Sequence, residues 1–322
     1  MEEHDLAPSE LETLTLELLH CRGEVERLHE REQLVSSLLG SVNAVLWAFD
    51  WQQRKIVYVS PAYESIFGRS AALLMGDYNE WLNSIYPDDM EVAAQSMAQV
   101  LVTGSVEQRE YRIIRGDGQL RWLSDKCFVS PRNTPGGQPL VVGIAEDITE
   151  KKTLQGELHR LATTDVLTGV SNRRHFFEIA QLDFEQARRE DLPLTFLLLD
   201  VDDFKKINDR HGHQIGDRVL QRLAHCGTYV MRRDDLFGRI GGEEFAAIFP
   251  GCDIPQARLV AERLQREVQR LSFPGDPEPF GVTISQGLAS LGPNEDLEDL
   301  YARADEAMYQ AKRGGKNCIV VG

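Results

Sequence analysis

The chain has 322 residues, and at roughly 150 residues per domain that length predicts about two domains. Its 51 Asp+Glu against 35 Lys+Arg leave a net charge of −16, which argues against nucleic-acid or anionic-membrane binding, since both need a basic surface. No run approaches the ~18 apolar residues of a membrane span, residues 1–5 carry no signal-peptide pattern, and five scattered cysteines make neither a disulfide framework nor a zinc site, so a cytoplasmic protein without membrane insertion is expected.

Residues 10–39 read as one charged helix with apolar positions at Leu11, Leu14, Leu18, Cys21, Val25, Leu28, Val35 and Leu39. Spacings of 3 and 4, with only Glu32 out of pattern, form the heptad seam of a coiled coil. An amphipathic helix packing on its own domain is the alternative. Residues 1–39 are therefore expected to be a coiled-coil helix that pairs with a second copy or another partner.

Residues 40–148 differ in kind, since all four tryptophans (47, 51, 81, 122) lie there. Lys55–Ser60 reads as a strand, Pro61–Gly68 as a helical turn closed by glycine, and residues 90–103 as a helix after Tyr86-Pro-Asp-Asp89. Strands are expected near 107–115, 119–129 and 139–146, with Gly116-Asp-Gly118 as a hairpin turn. Between residues 40 and 150 there is no histidine, which argues against a histidine-ligated haem. A helix over 149–162 follows in a linker of 149–164, with Ile148, Leu154, Leu158 and Leu161 able to line one face.

From Asp165 the chain turns through Val-Leu-Thr-Gly169, and Ser171-Asn-Arg-Arg174 opens a helix. Then β 193–201, α 214–231, a hairpin over 236–249, α 255–271, β 280–289, α 297–313 and β 317–321 are expected. This alternation indicates an α/β fold, an α+β sandwich over residues 165–322. In Arg239-Ile-Gly-Gly-Glu-Glu-Phe245 the paired glycines are expected to supply the positive φ of a tight turn, and Glu243 and Glu244 turn outward at its tip. Alone, such a turn could be merely solvated. It is accompanied, however, by a strand ending Leu-Leu-Asp200 and by Val201-Asp-Asp-Phe-Lys-Lys-Ile-Asn208 through to Gly216-Asp217.

Together these residues resemble the GGDEF family, the diguanylate cyclases, from Asp165 to Val321. Residues 40–148 resemble a PAS domain of the PAS/PAC type, on Arg-x-Asp-Gly-x-x-Arg-Trp at Arg115–Trp122 and the exit Asp147-Ile-Thr-Glu150. The resemblance implies a palm-like nucleotidyl cyclase fold that condenses two GTP into cyclic di-GMP and two pyrophosphates. It implies Mg²⁺, with Mn²⁺ as the alternative, held by Asp200, Glu243 and the Val201 carbonyl. All are oxygen ligands, which that cation prefers. Glu243 matches the residue that helps deprotonate the attacking hydroxyl, with Glu244 in a supporting catalytic part.

For the phosphates, the resemblance implies the amides of the turn through Asp203 and Phe204, with Lys205, Lys312 and Lys316. At Lys316 the family more often has arginine, so bidentate geometry is lost there while the charge is kept. Asn208 and Asp217 match the pair that reads guanine, whose N1–H and amine suit a carboxylate and an amide. Arg232 and Asp235 match an inhibitory product site. The bland readings are a helix-capping Asp200, a C-capping Asn208, an N-terminal helix charge at Asp217, and a surface ion pair between Arg232 and Asp235. His211 and His213 match a structural turn rather than a metal site.

Because the product is two-fold symmetric, a homodimer is expected, regulated by the PAS domain, whose ligand the sequence leaves unknown. The rival functions are a non-enzymatic effector that binds GTP or cyclic di-GMP, and an interaction scaffold acting through the PAS domain or the coiled coil.

Overall fold

A computed structural model describes residues 20–31, 34, 43–130, 140–273 and 279–322. The chain divides into two units between Gln155 and Gly156. Residues 20–31 are helical (α1), and Val25 and Leu28 there are each 65% exposed. The seam positions Leu11, Leu14, Leu18, Val35 and Leu39 lie outside the described residues.

The first unit continues with β1 (Ala44–Asp50), β2 (Lys55–Val59), α2 (Ala62–Phe67), α3 (Ala71–Gly76), α4 (Asn79–Leu82) and a 3-10 turn at Pro87–Asp89. Then come α5 (Met90–Thr103), β3 (Ser105–Ile114), β4 (Leu120–Val129) and β5 (Leu140–Asp147). The strands form an antiparallel sheet in the order β2-β1-β5-β4-β3. β1 was not expected from the sequence. It has neighbours on both edges and a mostly buried pattern, so its residues show no simple polar alternation. At Gly143 a side chain is excluded, because a Cβ would lie 2.4 Å from the Trp47 ring across the β1–β5 pair.

The core of this unit packs Phe49, Tyr63, Phe67, Ile85, Met97 and Leu123 together. Within it lies a buried ion pair, Arg109 Nη2 to Asp125 Oδ2 at 2.5 Å. Trp47 Nε1 donates to Asp125 Oδ1 at 3.2 Å, and Arg109 also donates to the Ala93 carbonyl and the Ser96 hydroxyl. Beside this pair, Trp47, Tyr63, Tyr78 and Trp81 help line a cavity of ≈30 Å³. That is far below the roughly 300–1,000 Å³ of sites that enclose drug-sized ligands.

The helix α6 (Thr149–Thr163) runs across the division, with Leu154, Leu158 and Leu161 exposed. The second unit contains β6 (Ser171–Asn172), α7 (Arg173–Glu190), β7 (Leu194–Val201), α8 (Phe204–His211), α9 (His213–Val230), β8 (Leu236–Arg239), β9 (Glu244–Pro250), α10 (Ile254–Gln269), β10 (Ile284–Ser290), α11 (Leu297–Arg313) and β11 (Ile319–Val321). The sheet order is β11-β10-β7-β9-β8-β6, with β10–β11 and β6–β8 parallel and the other pairs antiparallel.

β7 is buried along its whole length and its side chains alternate between two cores. Leu197, Leu199 and Val201 face residues of α9 and α10, whereas Leu194, Phe196 and Leu198 face α7 and α11. The expected sandwich is therefore present, three layers deep. β10 begins at Ile284 rather than near 280, because Phe280 is taken up by an isolated bridge to Phe273. The two-residue β6 was too short to read from periodicity.

Candidate active site

The carboxylates collect at the end of β7. Asp200 is 3% exposed, stands opposite Glu244 on β9 and Ser285 on β10, and is thus fixed from both edges. It lies on a strand and caps no helix. The Val201 N–H donates to the Glu243 carbonyl at 3.3 Å, which seats the hairpin loop on the strand end. Within that loop the N–H groups of Ile240 and Gly241 both donate to the Glu244 carbonyl, at 3.0 and 3.3 Å.

The glycine expectation is corrected here, since neither Gly241 nor Gly242 adopts positive φ. Four residues, 240–243, separate the two strands, so no two-residue turn with mirror-image dihedrals is needed. The Arg239 guanidinium closes the loop instead, donating to the Gly242 carbonyl at 2.6 Å. At Gly241 a Cβ would sit 2.3 Å from Glu244 Oε2, so a side chain there would displace the Glu244 carboxylate.

Asp200 Oδ2 pairs with Lys312 Nζ at 2.7 Å, from the last turn of α11. Burial pushes the Asp200 carboxyl up to about 6, against the pull of Lys312, and the nearby charges of Glu243 and Glu244 add to the rise. Three carboxylates thus share one end of the sheet. Among the described residues no three His, Cys, Asp or Glu side chains converge as a ready metal cluster. The donor set is nevertheless all oxygen, and a carboxylate under like-charge pressure suits a hard divalent cation.

Sequence reasoning overlooked Asp202. It is 6% exposed and accepts from Thr283 Oγ1 at 2.7 Å, Ser285 Oγ at 2.6 Å and the Asn317 N–H at 3.0 Å. One carboxylate therefore ties the turn after β7 to β10 and to the Lys316–Asn317 turn. Alternate hydroxyls at 283 and 285 were the only sequence signal, and they mean nothing until β10 is paired with β7.

Asp203 follows in left-handed conformation (φ 56°) as the N-cap position of α8. Lys206 and Lys316 pair with its two oxygens, at 2.7 and 2.8 Å, and hold its carboxyl down at about 2. Phe204 is buried under the turn, whereas Lys205 is exposed.

Asn208 sits in α8 one turn before Gly212, which is the residue that caps the helix. Its Oδ1 is buried without a hydrogen-bond partner among the described residues. Asp217 is exposed in the second turn of α9, past the first-turn position of a helix-terminal charge. His211 stacks on Phe280, ring centres 4.3 Å apart.

At the other pair, Asp235 Oδ2 accepts the backbone N–H of Arg232 at 2.8 Å, and the Arg232 side chain stays exposed. Burial raises the Asp235 carboxyl, while Arg232 and Arg263 act in opposition. Arg263, on α10, also donates to the Val230 carbonyl. No local pattern announces it, because Arg263 lies 28 residues beyond Asp235 and reaches this corner through the packing of α10.

Residues 162–318 match the family model described as diguanylate cyclase, GGDEF domain, and residues 56–145 match a PAS fold. The coiled coil and GGDEF domain of DgcB from Caulobacter crescentus, solved with c-di-GMP, is 30% identical and superposes with a TM-score of 0.52. That similarity covers 54% of this chain and 93% of the DgcB chain. The chain belongs to the GGDEF family.

The chain is also 38% identical over 184 residues to the diguanylate cyclase DgcM of Escherichia coli strain K12. The match covers 57% of this chain and 44% of DgcM, so the chain spans less than half of that relative's length. A diguanylate cyclase of Vibrio cholerae serotype O1 is 29% identical over 302 residues, 92% of this chain and 93% of its own. Along the chain the PAS fold at 56–145 precedes the GGDEF domain at 162–318. No helix among the described residues is long and apolar enough to cross a membrane.

Proposed function

We propose that this protein is a diguanylate cyclase, joining two GTP into cyclic di-GMP with release of two pyrophosphates. The observation that carries the reading is the end of β7, where Asp200 meets Glu243, Glu244 and the Lys312 ammonium. Asp200, Glu243 and the Val201 carbonyl would hold Mg²⁺ or Mn²⁺. When bound, such a cation neutralises phosphate charge and lowers the pKa of a coordinated hydroxyl. Glu243 takes the proton of the 3′-hydroxyl at its carboxylate, and Glu244 supports the hairpin that carries it.

The amides of Asp203 and Phe204, with Lys205, Lys312 and Lys316, receive the β- and γ-phosphates. Lys312 and Lys316 are held by Asp200 and Asp203, and each would exchange that carboxylate for phosphate oxygen. Guanine is read by Asn208 and Asp217. The unpaired Asn208 Oδ1 supports this, since an unsatisfied buried polar atom costs stability and points to a residue kept for something other than stability.

One domain holds one GTP, so two copies must face each other. The exposed leucines of α6, spaced 4 and 3 apart, continue the heptad logic of residues 1–39 and would join the copies as a coiled coil. In this reading residues 40–148 are a PAS sensor, 149–164 a signalling helix and 165–322 the cyclase. Arg232 and Asp235, with Arg263 beside them, bind product and restrain the enzyme. A cytoplasmic location fits this chemistry.

Incubating the pure protein with GTP and MgCl₂ and separating the nucleotides tests the reading. A cyclic dinucleotide and pyrophosphate are expected, with Glu243→Gln folded but slowed by on the order of 10². Unchanged GTP, with cyclic di-GMP still bound, would favour the effector instead.

A further inference from the structure

Gly216 is a buried residue in the first turns of α9, where its backbone is helical and asks for no glycine. In a helix interior glycine is less favourable than alanine, so its presence needs a spatial reason. A Cβ at this position would lie 1.9 Å from Asn208 Oδ1, 3.0 Å from Asn208 Cγ and 3.2 Å from the tip of the Phe204 ring. The missing side chain leaves room for the Asn208 amide, packed against the helix that carries Asp217.

The same Oδ1 is the buried atom left without a hydrogen-bond partner among the described residues. The two observations are independent: one is about space, the other about an unused acceptor. Resting on the proposed reading of the base site, we infer that Gly216 is a positioning residue for nucleobase selection. It lets the Asn208 amide seat its Oδ1 against α9, which fixes the orientation in which this side chain meets the base. Any side chain at 216 collides with the end of a flexible side chain rather than with backbone. The amide therefore rotates away while the fold is kept, and the base loses a partner held in fixed orientation.

The test compares Gly216→Ala, Asn208→Ala and the double variant in the full chain. Equilibrium binding of GTP and of ATP is measured apart from turnover. Gly216→Ala should weaken GTP binding about tenfold, the scale of one lost polar contact, and change ATP binding little. Turnover at saturating GTP should stay within about twofold, because the metal and phosphate groups are untouched. The double variant should bind GTP no more weakly than Asn208→Ala alone, since position 216 acts through Asn208.

A wild-type preference for GTP over ATP in Gly216→Ala overturns the inference, as does a double variant in which the two losses multiply. If Gly216→Ala fails to fold, the double variant relieves the main clash and should fold; its failure would assign Gly216 to packing on Phe204 instead. A wild type that binds GTP selectively but forms no cyclic dinucleotide would defeat the cyclase reading and leave this comparison standing.

Discussion

Asp165 and Arg239, 74 residues apart in the chain, meet with Nη1 and Oδ1 separated by 3.1 Å. The same oxygen accepts from the Thr168 N–H at 2.9 Å and the Thr168 hydroxyl at 2.6 Å. Arg239 then reaches forward with Nε and Nη2 to the Gly242 carbonyl. One guanidinium thus bridges the turn after α6 to the loop that carries Glu243.

Asp165→Ala should cost about 1.5–3 kcal/mol at pH 7, the range for hydrogen bonds to charged groups, and should slow turnover by loosening the loop. Burial pushes the Asp165 carboxyl up, but the bonds from Thr168 and Arg239 outweigh it and leave the group below its usual value. The stabilisation is then complete above the unfolded value near pH 4 and is lost as pH falls through the lower folded one. The gap between wild type and variant, followed by urea unfolding, should hold from about pH 5 to 7 and narrow below about pH 4. A gap that does not change with pH would sink the assignment.

The buried pair of the first unit makes a second prediction. Asp125→Ala leaves the Arg109 guanidinium, only 6% exposed, without its counter-charge. Breaking a buried pair from one side typically costs about 3–5 kcal/mol. All four tryptophans lie in this unit and two of them contact the pair, so intrinsic fluorescence reports its unfolding selectively. An Arg109→Met/Asp125→Leu double variant should recover much of the loss. A fluorescence midpoint unmoved in Asp125→Ala would mean the pair is not structural.

Long, strongly periodic elements were legible in the sequence: α5, α9, α10 and α11 begin and end within two residues of expectation. The carboxylate end of β7 and the hairpin were legible too, since their residues are contiguous. What stayed hidden depends on strand pairing or helix docking. Asp202 finds its partners 81 to 115 residues away, and no local pattern announces them. Gly216 reads as one more glycine until α8 is folded against α9. The glycine pair of the hairpin does not supply positive φ, because the Arg239 side chain, not backbone geometry, closes the loop.

A third prediction concerns association. Leu154, Leu158 and Leu161 on α6 are 56%, 66% and 48% exposed, more than an unpartnered helix face should leave in water. Leu158→Lys places a charge in the middle of that stripe. The mass in solution should shift toward monomer, and specific turnover should fall most at low protein concentration. An unchanged mass and a concentration-independent rate would show that this face does not join two copies.

Feedback supplies the last prediction. Arg232→Ala should relieve slowing by accumulated cyclic di-GMP and leave initial rates nearly intact. Asp235 accepts the Arg232 backbone N–H, so the guanidinium is exposed rather than committed to that carboxylate. β8 lies between Arg232 and the loop of Glu243, and four strand residues at about 3.3 Å each span roughly 13 Å. On the proposed reading, an anion held at Arg232 would act away from the attacking hydroxyl, by fixing domains in an unproductive arrangement. Loss of an arginine–phosphate contact should weaken product binding by roughly 1.5–3 kcal/mol, about one to two orders of magnitude. Arg263→Ala should act in the same direction, because its charge bears on the same Asp235. Progress curves with and without added product measure both. If Arg232→Ala slows as early as wild type, product restraint arises elsewhere on the molecule.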